Sequence, residues 1–202
     1  MPKAWKDLLK PEYRGMIAFG DPRQAANANW AVFAAAVANG GNEKNIGPGL
    51  EFFAKLQKSG NMIPVDPLLG AVQKGEAPIS FNWDFNGLGF RDKLAADGIP
   101  ITVVIPKDGT ISAPYVAIIN KWAPHPAAAK LWIEYVFSDA GQIALAKGYA
   151  RPIRNVKLPA DVAKKVLPAS DYTSVKPIKD WEAAIAAGKE IGKQWGPKVM
   201  GQ

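Results

Sequence analysis

Apolar-rich blocks alternate with amphipathic stretches along the first half of the chain, from residue 16 to residue 105. The runs at residues 16–19, 79–83 and 101–105 are typical of buried strands. Helical spacing of apolar residues lies between them, over residues 30–37, 50–56, 67–74 and 90–96. This alternation predicts an α/β fold with a mostly parallel sheet that helices cover on both faces.

The second half of the chain has a mostly helical pattern. A Lys-Asp-Gly turn at residues 107–109 follows the last of these strands, and a β-rich run extends over residues 111–120. Helices are predicted from Pro126 onward, apart from an irregular stretch at residues 151–177 with a short helix near residues 161–166. Two apolar stripes result, Ala128, Leu131, Trp132 and Tyr135 on the first helix, and Trp181, Ile185, Gly188 and Trp195 on the last. Trp132 and Tyr135 are predicted to be core residues.

The composition fits a folded protein with a basic surface. A chain of 202 residues with seven Trp can form one large or two small domains. The net charge is +7, and most of the excess lies in residues 147–202. The basic residues there are spread along predicted helices and several have acidic neighbours, which favours a solvated surface over nucleic-acid binding. Since no apolar run reaches the roughly 18 residues of a membrane-spanning helix, we expect no membrane insertion.

The residue types that most enzymes use for catalysis are scarce. The chain has no Cys and a single His, His125, which lies between two prolines in a predicted loop. No nucleophile or phosphate-binding loop stands in the context that its chemistry needs, and the acidic residues form no cluster for a hard cation. The sequence therefore predicts a protein that is not an enzyme, with no catalytic residue, metal or cofactor. An α/β enzyme such as a transferase is the alternative, which measured turnover would reveal.

Polar residues after the first predicted strand form one candidate binding site. Ligands of open α/β sheets bind beyond the carboxyl ends of the strands, which is where Asp21 and Arg23 lie. The start of the next helix offers free N–H groups to an anion, and Arg23 adds guanidinium donors. Asp21 would instead favour a cation. The alternative without a ligand is that Asp21 caps the helix and Arg23 is solvated.

Asn82, Trp83 and Asp84 form a second candidate site, at the end of the strand at residues 79–83. A Trp ring beside a carboxylate suits an alkylammonium group, because the ring face attracts the cation and the carboxylate pairs with it. Alternatively, Trp83 is a core residue and Asp84 is the N-cap of the following helix. Tyr115 offers a hydroxyl to either kind of ligand, or packs as a core aromatic.

The order of motifs around the turn at residues 107–109 resembles the extracellular solute-binding proteins of ABC importers, in the group that contains polyamine and iron(III) binders. The residues that match the group's pattern are Pro106, Asp108, Gly109, Ala123, Pro126, Ala128, Ala129, Trp132, Ser138, Gly141 and Gln142. Further matches are Pro2, Trp5, Asp7, Leu8, Leu9, Pro11, Tyr13, Gly15 and Ile17 near the start, and Gly148, Tyr149, Ala150, Pro152, Ile153 and Arg154 later. The adjacent Tyr pair of the iron binders is absent, which argues against iron.

The resemblance implies a two-lobe fold of the periplasmic-binding-protein type that lacks its N-terminal segment. Residues 2–105 would form the complete second lobe. Residues 106–202 would supply the hinge strand and the helical C-terminal part of the first lobe. The resemblance also implies a periplasmic or other extracytoplasmic location, an ABC permease as partner, and lobe closure about a hinge strand near residues 112–116.

Within this family, the candidate residues favour a small polar solute. The preferred ligand is a polyamine-like cation, and the alternative is a small anion such as a phosphonate or a carboxylate. The predicted ligand-binding residues are Asp21, Arg23, Asn82, Trp83, Asp84 and Tyr115. A missing segment would leave the helical stripes partly exposed, so we expect the chain to self-associate or to rearrange its packing onto the remaining strands of the first lobe. A purely structural or interaction domain, which would bind no metabolite, is the remaining alternative.

Overall fold

The chain folds into two compact units that are interleaved along the sequence. The computed structural model describes all 202 residues, Met1–Gln202. Unit 1 comprises Met1–Trp83, Val104–Ala113 and Ser170–Gln202, and unit 2 comprises Asp84–Val103 and Pro114–Ala169. The sequence predicts one domain boundary, at residue 105. In the structure, the chain passes between the two units at four places. The assignment of residues 2–105 to the second lobe of the family stays a prediction.

The elements observed are mostly those that the apolar pattern predicts, with shorter strands. The strands are β1 (Ile17–Ala18), β2 (Met62–Ile63), β3 (Ile79–Ser80), β4 (Thr110–Ser112) and β5 (Val175–Pro177). The α-helices are α1 (Ala26–Ala38), α2 (Gly47–Lys58), α3 (Leu69–Gln73), α4 (Asp84–Ala95), α5 (Pro126–Phe137), α6 (Asp139–Lys147), α7 (Ala160–Ala163) and α8 (Trp181–Gln194). Short 3-10 helices span Trp5–Leu9, Pro11–Tyr13 and Ala169–Tyr172, and a π-helix spans Trp195–Met200.

The sheet of unit 1 confirms the predicted α/β class. Its three strands are parallel in the order β2-β1-β3, and Ile17 of β1 lies opposite Met62 on one side and Ile79 on the other. Helices connect these strands, α1 and α2 before β2, and α3 before β3. Parallel strands need such crossover connections, which bring all three carboxyl ends to one edge of the sheet.

Trp5 lies at the centre of the aromatic core of unit 1. Its ring stacks on Phe81 with the centroids 5.0 Å apart, and it meets the edge of Phe52 at 5.5 Å. Its indole Nε1–H donates to the carbonyl of Gly109 at 2.8 Å, and its backbone N–H donates to Asp108 Oδ1 at 3.0 Å. The Asp-Gly turn is therefore anchored on a residue about one hundred positions earlier in the chain.

Gly109 allows this turn to pack closely on the end of α1. Its φ is +135°, a conformation that side chains rarely adopt, and a Cβ there would lie 3.2 Å from the Cα of Ala38. The chain then continues as β4, which pairs in parallel with β5 through Thr110 opposite Val175.

Two predicted strand regions are largely extended chain without a ladder. Residues 101–105, predicted as a strand, form none, and the β-rich run at residues 111–120 is a strand only as far as Ser112. Apolar, β-branched composition makes a segment suitable for a sheet, but a strand exists only where a neighbour pairs with its backbone. No such neighbour lies beside these residues.

In unit 2, a joint between α5 and α6 accounts for the Ser138, Gly141 and Gln142 motif. Ser138 Oγ donates to the carbonyl of Tyr135 at 2.6 Å and accepts from the N–H of Gly141 at 3.1 Å. The buried Gln142 side chain donates to the carbonyl of Val136 and accepts from the N–H of Ile153, both at 2.8 Å. A Cβ on Gly141 would overlap the carbonyl of Tyr135, so only glycine fits.

Tyr149 ends α6 in a conformation that usually requires glycine. Its φ is +73°, and the N–H of Ala150 reaches back to the carbonyl of Leu145 at 3.2 Å. The Tyr149 hydroxyl donates to Asp92 Oδ2 at 2.9 Å, which holds the side chain in place. Burial and this hydrogen bond raise the pKa of Tyr149, while Arg91 lowers the pKa of Asp92.

The prediction that Trp132 and Tyr135 are core residues is wrong. Trp132 is 64% exposed and Tyr135 is 46% exposed, because nothing in unit 2 covers that face of α5. Trp195, whose stripe was expected to be partly exposed, is instead buried in unit 1 against Phe19 and Phe53. All three residues lie on helices, as their spacing predicts. They differ in whether other side chains of the same unit cover them.

We expect Trp5→Phe to lower the free energy of unfolding by about 1–3 kcal/mol, because it leaves the buried carbonyl of Gly109 without its donor. Urea unfolding followed by circular dichroism measures the change. Trp122→Phe is the matched control, since Trp122 is 81% exposed and a surface change of this kind costs less than about 0.5 kcal/mol. Equal effects of the two substitutions would contradict the central role of Trp5.

Gly141→Ala should lower the melting temperature, with a loss of about 1–3 kcal/mol from overpacking against the Tyr135 carbonyl. The control is Gly192→Ala in α8, where a Cβ meets nothing within 4 Å. Since Ala is the better helix former, that variant should be as stable as the parent or up to about 1 kcal/mol more stable. Differential scanning calorimetry distinguishes the two outcomes, and an unchanged Gly141→Ala transition would refute the packing argument.

Asp7 should make stability depend on pH in the acidic range. Its carboxylate accepts the N–H groups of Lys3 and Ala4 and pairs with Lys10, which together lower its pKa to about 2. A lowered pKa stabilises the folded state above the ordinary pKa of about 4, and this stabilisation is lost as the pH falls towards 2. Asp7→Asn should therefore be less stable than the parent at neutral pH, with the difference shrinking in urea titrations at lower pH.

Candidate ligand-binding site

Three polar loops meet the carboxyl edge of the unit 1 sheet. β1 runs into Phe19, Gly20 and Asp21, β2 into Pro64, Val65 and Asp66, and β3 into Phe81, Asn82 and Trp83. Because the strands are parallel, all three loops leave the same edge, which is where ligands bind in open α/β sheets. The topology therefore brings Asp21, Arg23, Asn82 and Trp83 to one side of unit 1.

Asp21 and Arg23 form a forked ion pair. Arg23 Nη2 donates to Asp21 Oδ2 at 2.7 Å, Nε donates to both carboxylate oxygens at 3.0 Å, and the backbone N–H of Arg23 donates to Oδ1 at 2.8 Å. The guanidinium hydrogen bonds lower the pKa of Asp21, and the carboxylate in turn raises the pKa of Arg23. The pair fixes the direction of the guanidinium and leaves Nη1 outside the pair.

The alternative in which Asp21 caps α1 is wrong. The residue before α1 is Ala25, and no side chain accepts a hydrogen bond from the first turn. The carboxylate of Asp21 is engaged by Arg23 instead, because that fork is closer in the chain and carries a full charge. The first turn of α1 therefore keeps N–H groups that no protein side chain caps, at the helix end where the dipole favours negative charge.

Asn82 fixes the loop after β3. Its Nδ2 donates to the carbonyl of Pro67 at 3.4 Å, and its Oδ1 accepts from the N–H of Trp83 at 3.1 Å. Asn27, in the first turn of α1, reaches the carbonyl of Phe81 at 3.5 Å. These amides link the loops at the sheet edge to one another.

Sequence reasoning missed Asp66 and left Asn27 out of the predicted ligand-binding residues. A Cβ on Gly20 would overlap Oδ1 of Asp66, so this exposed carboxylate lies directly against the loop after β1. The signal for Asp66 was present, since the run Met62–Val65 ends at an acidic residue just as the first strand runs into Asp21. Two carboxylates and one guanidinium thus stand at this edge.

Asp84 and Tyr115 belong to unit 2, so they are not among the loop residues of the unit 1 sheet edge. Trp83 is half-buried and ends the first segment of unit 1, whereas Asp84 begins unit 2, so the two residues of the predicted cation site belong to different units. Asp84 is the first residue of α4 rather than the residue before it, and its charge favours that helix end. Tyr115 is 76% exposed beside Phe85, so its alternative as a core aromatic is wrong.

A groove of about 790 Å³ lies elsewhere in unit 1, with Val37, Ile111 and Trp181 in its lining. Part of its charged rim is paired within the protein. Lys44 pairs with Asp180 at 3.0 Å, and Glu43 accepts the backbone N–H groups of Lys179 and Asp180, just before α8. None of the predicted binding residues lines it, so the sheet edge remains the candidate site.

The structure contains no group of three or more His, Cys, Asp or Glu side chains that could hold a metal ion. Likewise, none of its helices is both long enough and apolar enough to cross a membrane.

The chain is similar to bacterial proteins that bind solutes outside the cell. The model of the family described as bacterial extracellular solute-binding protein matches residues 1–185. The sulfate-binding protein of Salmonella typhimurium is 26% identical over 168 residues, which cover 80% of this chain and 48% of that protein. The thiosulfate-binding protein of Pseudomonas aeruginosa is 28% identical over 196 residues, 90% of this chain and 55% of that protein. The chain thus spans about half the length of these curated relatives.

A solved structure has the same fold over nearly the whole chain. The crystal structure of an ABC transporter protein from Clostridium perfringens superposes with a TM-score of 0.69 at 21% identity, covering 98% of this chain and 63% of that one. The predicted periplasmic-binding-protein fold is confirmed, and the matching family and the named relatives are solute-binding proteins rather than enzymes, as the sequence predicted. Because the family model spans residues 1–185 of the 202, the chain belongs to the bacterial extracellular solute-binding proteins.

Proposed function

We propose that this chain acts as the solute-binding component of a bacterial ABC importer, in the periplasm or another extracytoplasmic space, and that it binds a small polar solute at the carboxyl edge of the β2-β1-β3 sheet. The observation that carries this proposal is the convergence of Asp21, Arg23, Asn82 and Trp83 at that edge. An ABC permease would recognise the loaded form. Closure about a hinge would fit the passage of the chain from unit 1 to unit 2 at Ala113–Pro114.

The local chemistry favours a small oxyanion as the solute. The first turn of α1 has no side-chain cap, and it follows directly after the loop in which Asp21 holds the Arg23 guanidinium. Uncapped N–H groups and an oriented guanidinium are both donors for tetrahedral oxyanions. Two relatives with 26% and 28% identity are named for sulfate and thiosulfate, which supports the same class.

A polyamine-like cation is the second candidate, and the sequence alone ranked it first. Asp66 adds a carboxylate at the same edge, and Trp83 stands beside Asp84 in the chain. A ring face and a carboxylate are the groups that hold an alkylammonium ion. The forked pair neutralises Asp21 and Arg23 alike, so Asp66 is the carboxylate that remains for a cation.

The two ligand classes are separated by two charge-removing substitutions. If an oxyanion binds, Arg23→Gln should weaken binding of sulfate or thiosulfate roughly tenfold to a hundredfold, since hydrogen bonds to charged groups contribute about 1.5–3 kcal/mol. Asp84→Asn should leave that affinity within about twofold, because it removes no donor. Isothermal titration of this chain with sulfate, thiosulfate, putrescine and spermidine measures both effects.

Asp21→Asn serves as the matched control, because it keeps the arginine and removes only the carboxylate that orients it. It should weaken oxyanion binding less than Arg23→Gln does. Should putrescine or spermidine bind instead, with a loss of two orders of magnitude or so in Asp84→Asn and none in Arg23→Gln, the cation candidate replaces the anion. If none of the four solutes binds to this chain, the proposed site is wrong.

A further inference from the structure

The π-helix Trp195–Met200 of unit 1 packs against the loop after β1. Helices of this kind are rare and are found frequently at functional sites. The ring centroid of the buried Trp195 lies 5.5 Å from that of Phe19, the residue that follows β1. The next residue, Gly196, approaches the same loop, since a Cβ there would lie 3.8 Å from Nη1 of Arg23. Two successive residues of the π-helix thus lie against the loop that carries Arg23.

The chain turns back after this helix, which places Gln202 beside Gly196. Gly201 has a φ of +69°, the left-handed conformation in which many helices end. The turn allows the N–H of Gln202 to donate to the carbonyl of Gly196 at 3.1 Å. The side chain follows the backbone, because a Cβ on Gly196 would lie 4.0 Å from both Cβ and Oε1 of Gln202. The glycine turn and this hydrogen bond together hold Gln202 in place.

Arg23 and Gln202 both lie over Gly196, and each has donors without an acceptor in the chain. Gly196 is buried although it has no side chain of its own, as expected if these two side chains cover it. The hydrogen bonds that the guanidinium donates to Asp21 use Nε and Nη2, which leaves Nη1. The side-chain amide of Gln202 makes no hydrogen bond within the chain. Two neighbouring donor groups therefore remain available to a solute.

We propose that Gln202 is a ligand-binding residue of the oxyanion site, where its amide donates to the same anion as Nη1 of Arg23. This inference rests on the proposed function, which supplies the oxyanion. A primary amide offers two N–H donors and carries no charge, so it adds a hydrogen bond to the anion without forming an ion pair with the guanidinium. The π-helix then contributes to the site a residue that lies far from the strand-end loops in the sequence.

Isothermal titration of the 202-residue chain with sulfate and thiosulfate tests the proposal. Gln202→Ala should weaken oxyanion binding roughly tenfold, the lower end of what a hydrogen bond to a charged group contributes. Gln202→Glu should weaken it further, because a carboxylate repels the anion and forms an ion pair with Arg23. Gln202→Lys should bind at least as tightly as the parent, since it keeps donors and adds a positive charge.

Gln57 provides the matched control in the same unit. It lies in the last turn of α2, just before β2 begins, and therefore at the amino edge of the sheet, opposite the proposed site. Gln57→Ala and Gln57→Glu should bind both oxyanions as the parent does, and thermal unfolding verifies that every variant is folded.

The two proposals fail in different ways. If the parent binds sulfate or thiosulfate and Gln202→Ala and Gln202→Glu bind it equally well, this inference is wrong and the oxyanion site stands. If the Gln57 variants lose as much affinity as the Gln202 variants, the effect is not local to the site and the inference is also wrong. A parent that binds neither oxyanion overturns the proposed oxyanion class, and this inference with it.

Discussion

The packing of unit 1 depends on the two hydrogen bonds that Trp5 donates to the Asp108–Gly109 turn. A buried indole needs a hydrogen-bond acceptor, and the carbonyl of Gly109 supplies it at 2.8 Å. The same ring stacks on Phe81, the residue that follows β3 and leads to the candidate binding loop. One side chain thus fixes the start of the chain, the entry to β4 and the end of the central sheet. This packing and the amide hydrogen bonds of Asn27 and Asn82 together position the loops at the sheet edge.

The residues that carry the family resemblance hold the backbone in place. Asp108 and Gly109 receive Trp5, and Gly141 and Gln142 form the joint between α5 and α6. None of the four lies among the residues at the sheet edge. Such motifs therefore point to the family and say little about the solute. In the proposed site, the ligand class would depend instead on Arg23 and on the uncapped start of α1.

Apolar residues are divided unequally between the two units. Unit 1 has a continuous aromatic core from Trp5 to Trp195, whereas unit 2 has small helices with much of their apolar surface in solvent. The candidate site therefore stands on the well-packed unit, where a precise arrangement of donors can be maintained.

The sequence by itself determined the helices, the α/β class and the family, because helix hydrogen bonds are local and follow the spacing of apolar residues. The tertiary structure alone decided where strands form, since residues 101–105 and 116–119 have strand composition but no neighbour to pair with. It also decided burial, leaving Trp132 exposed and covering Trp195, although both lie on helical stripes. The pairing of Asp21 with Arg23 and the approach of Asp66 to Gly20 likewise depend on how loops meet in space, which the order of residues does not specify.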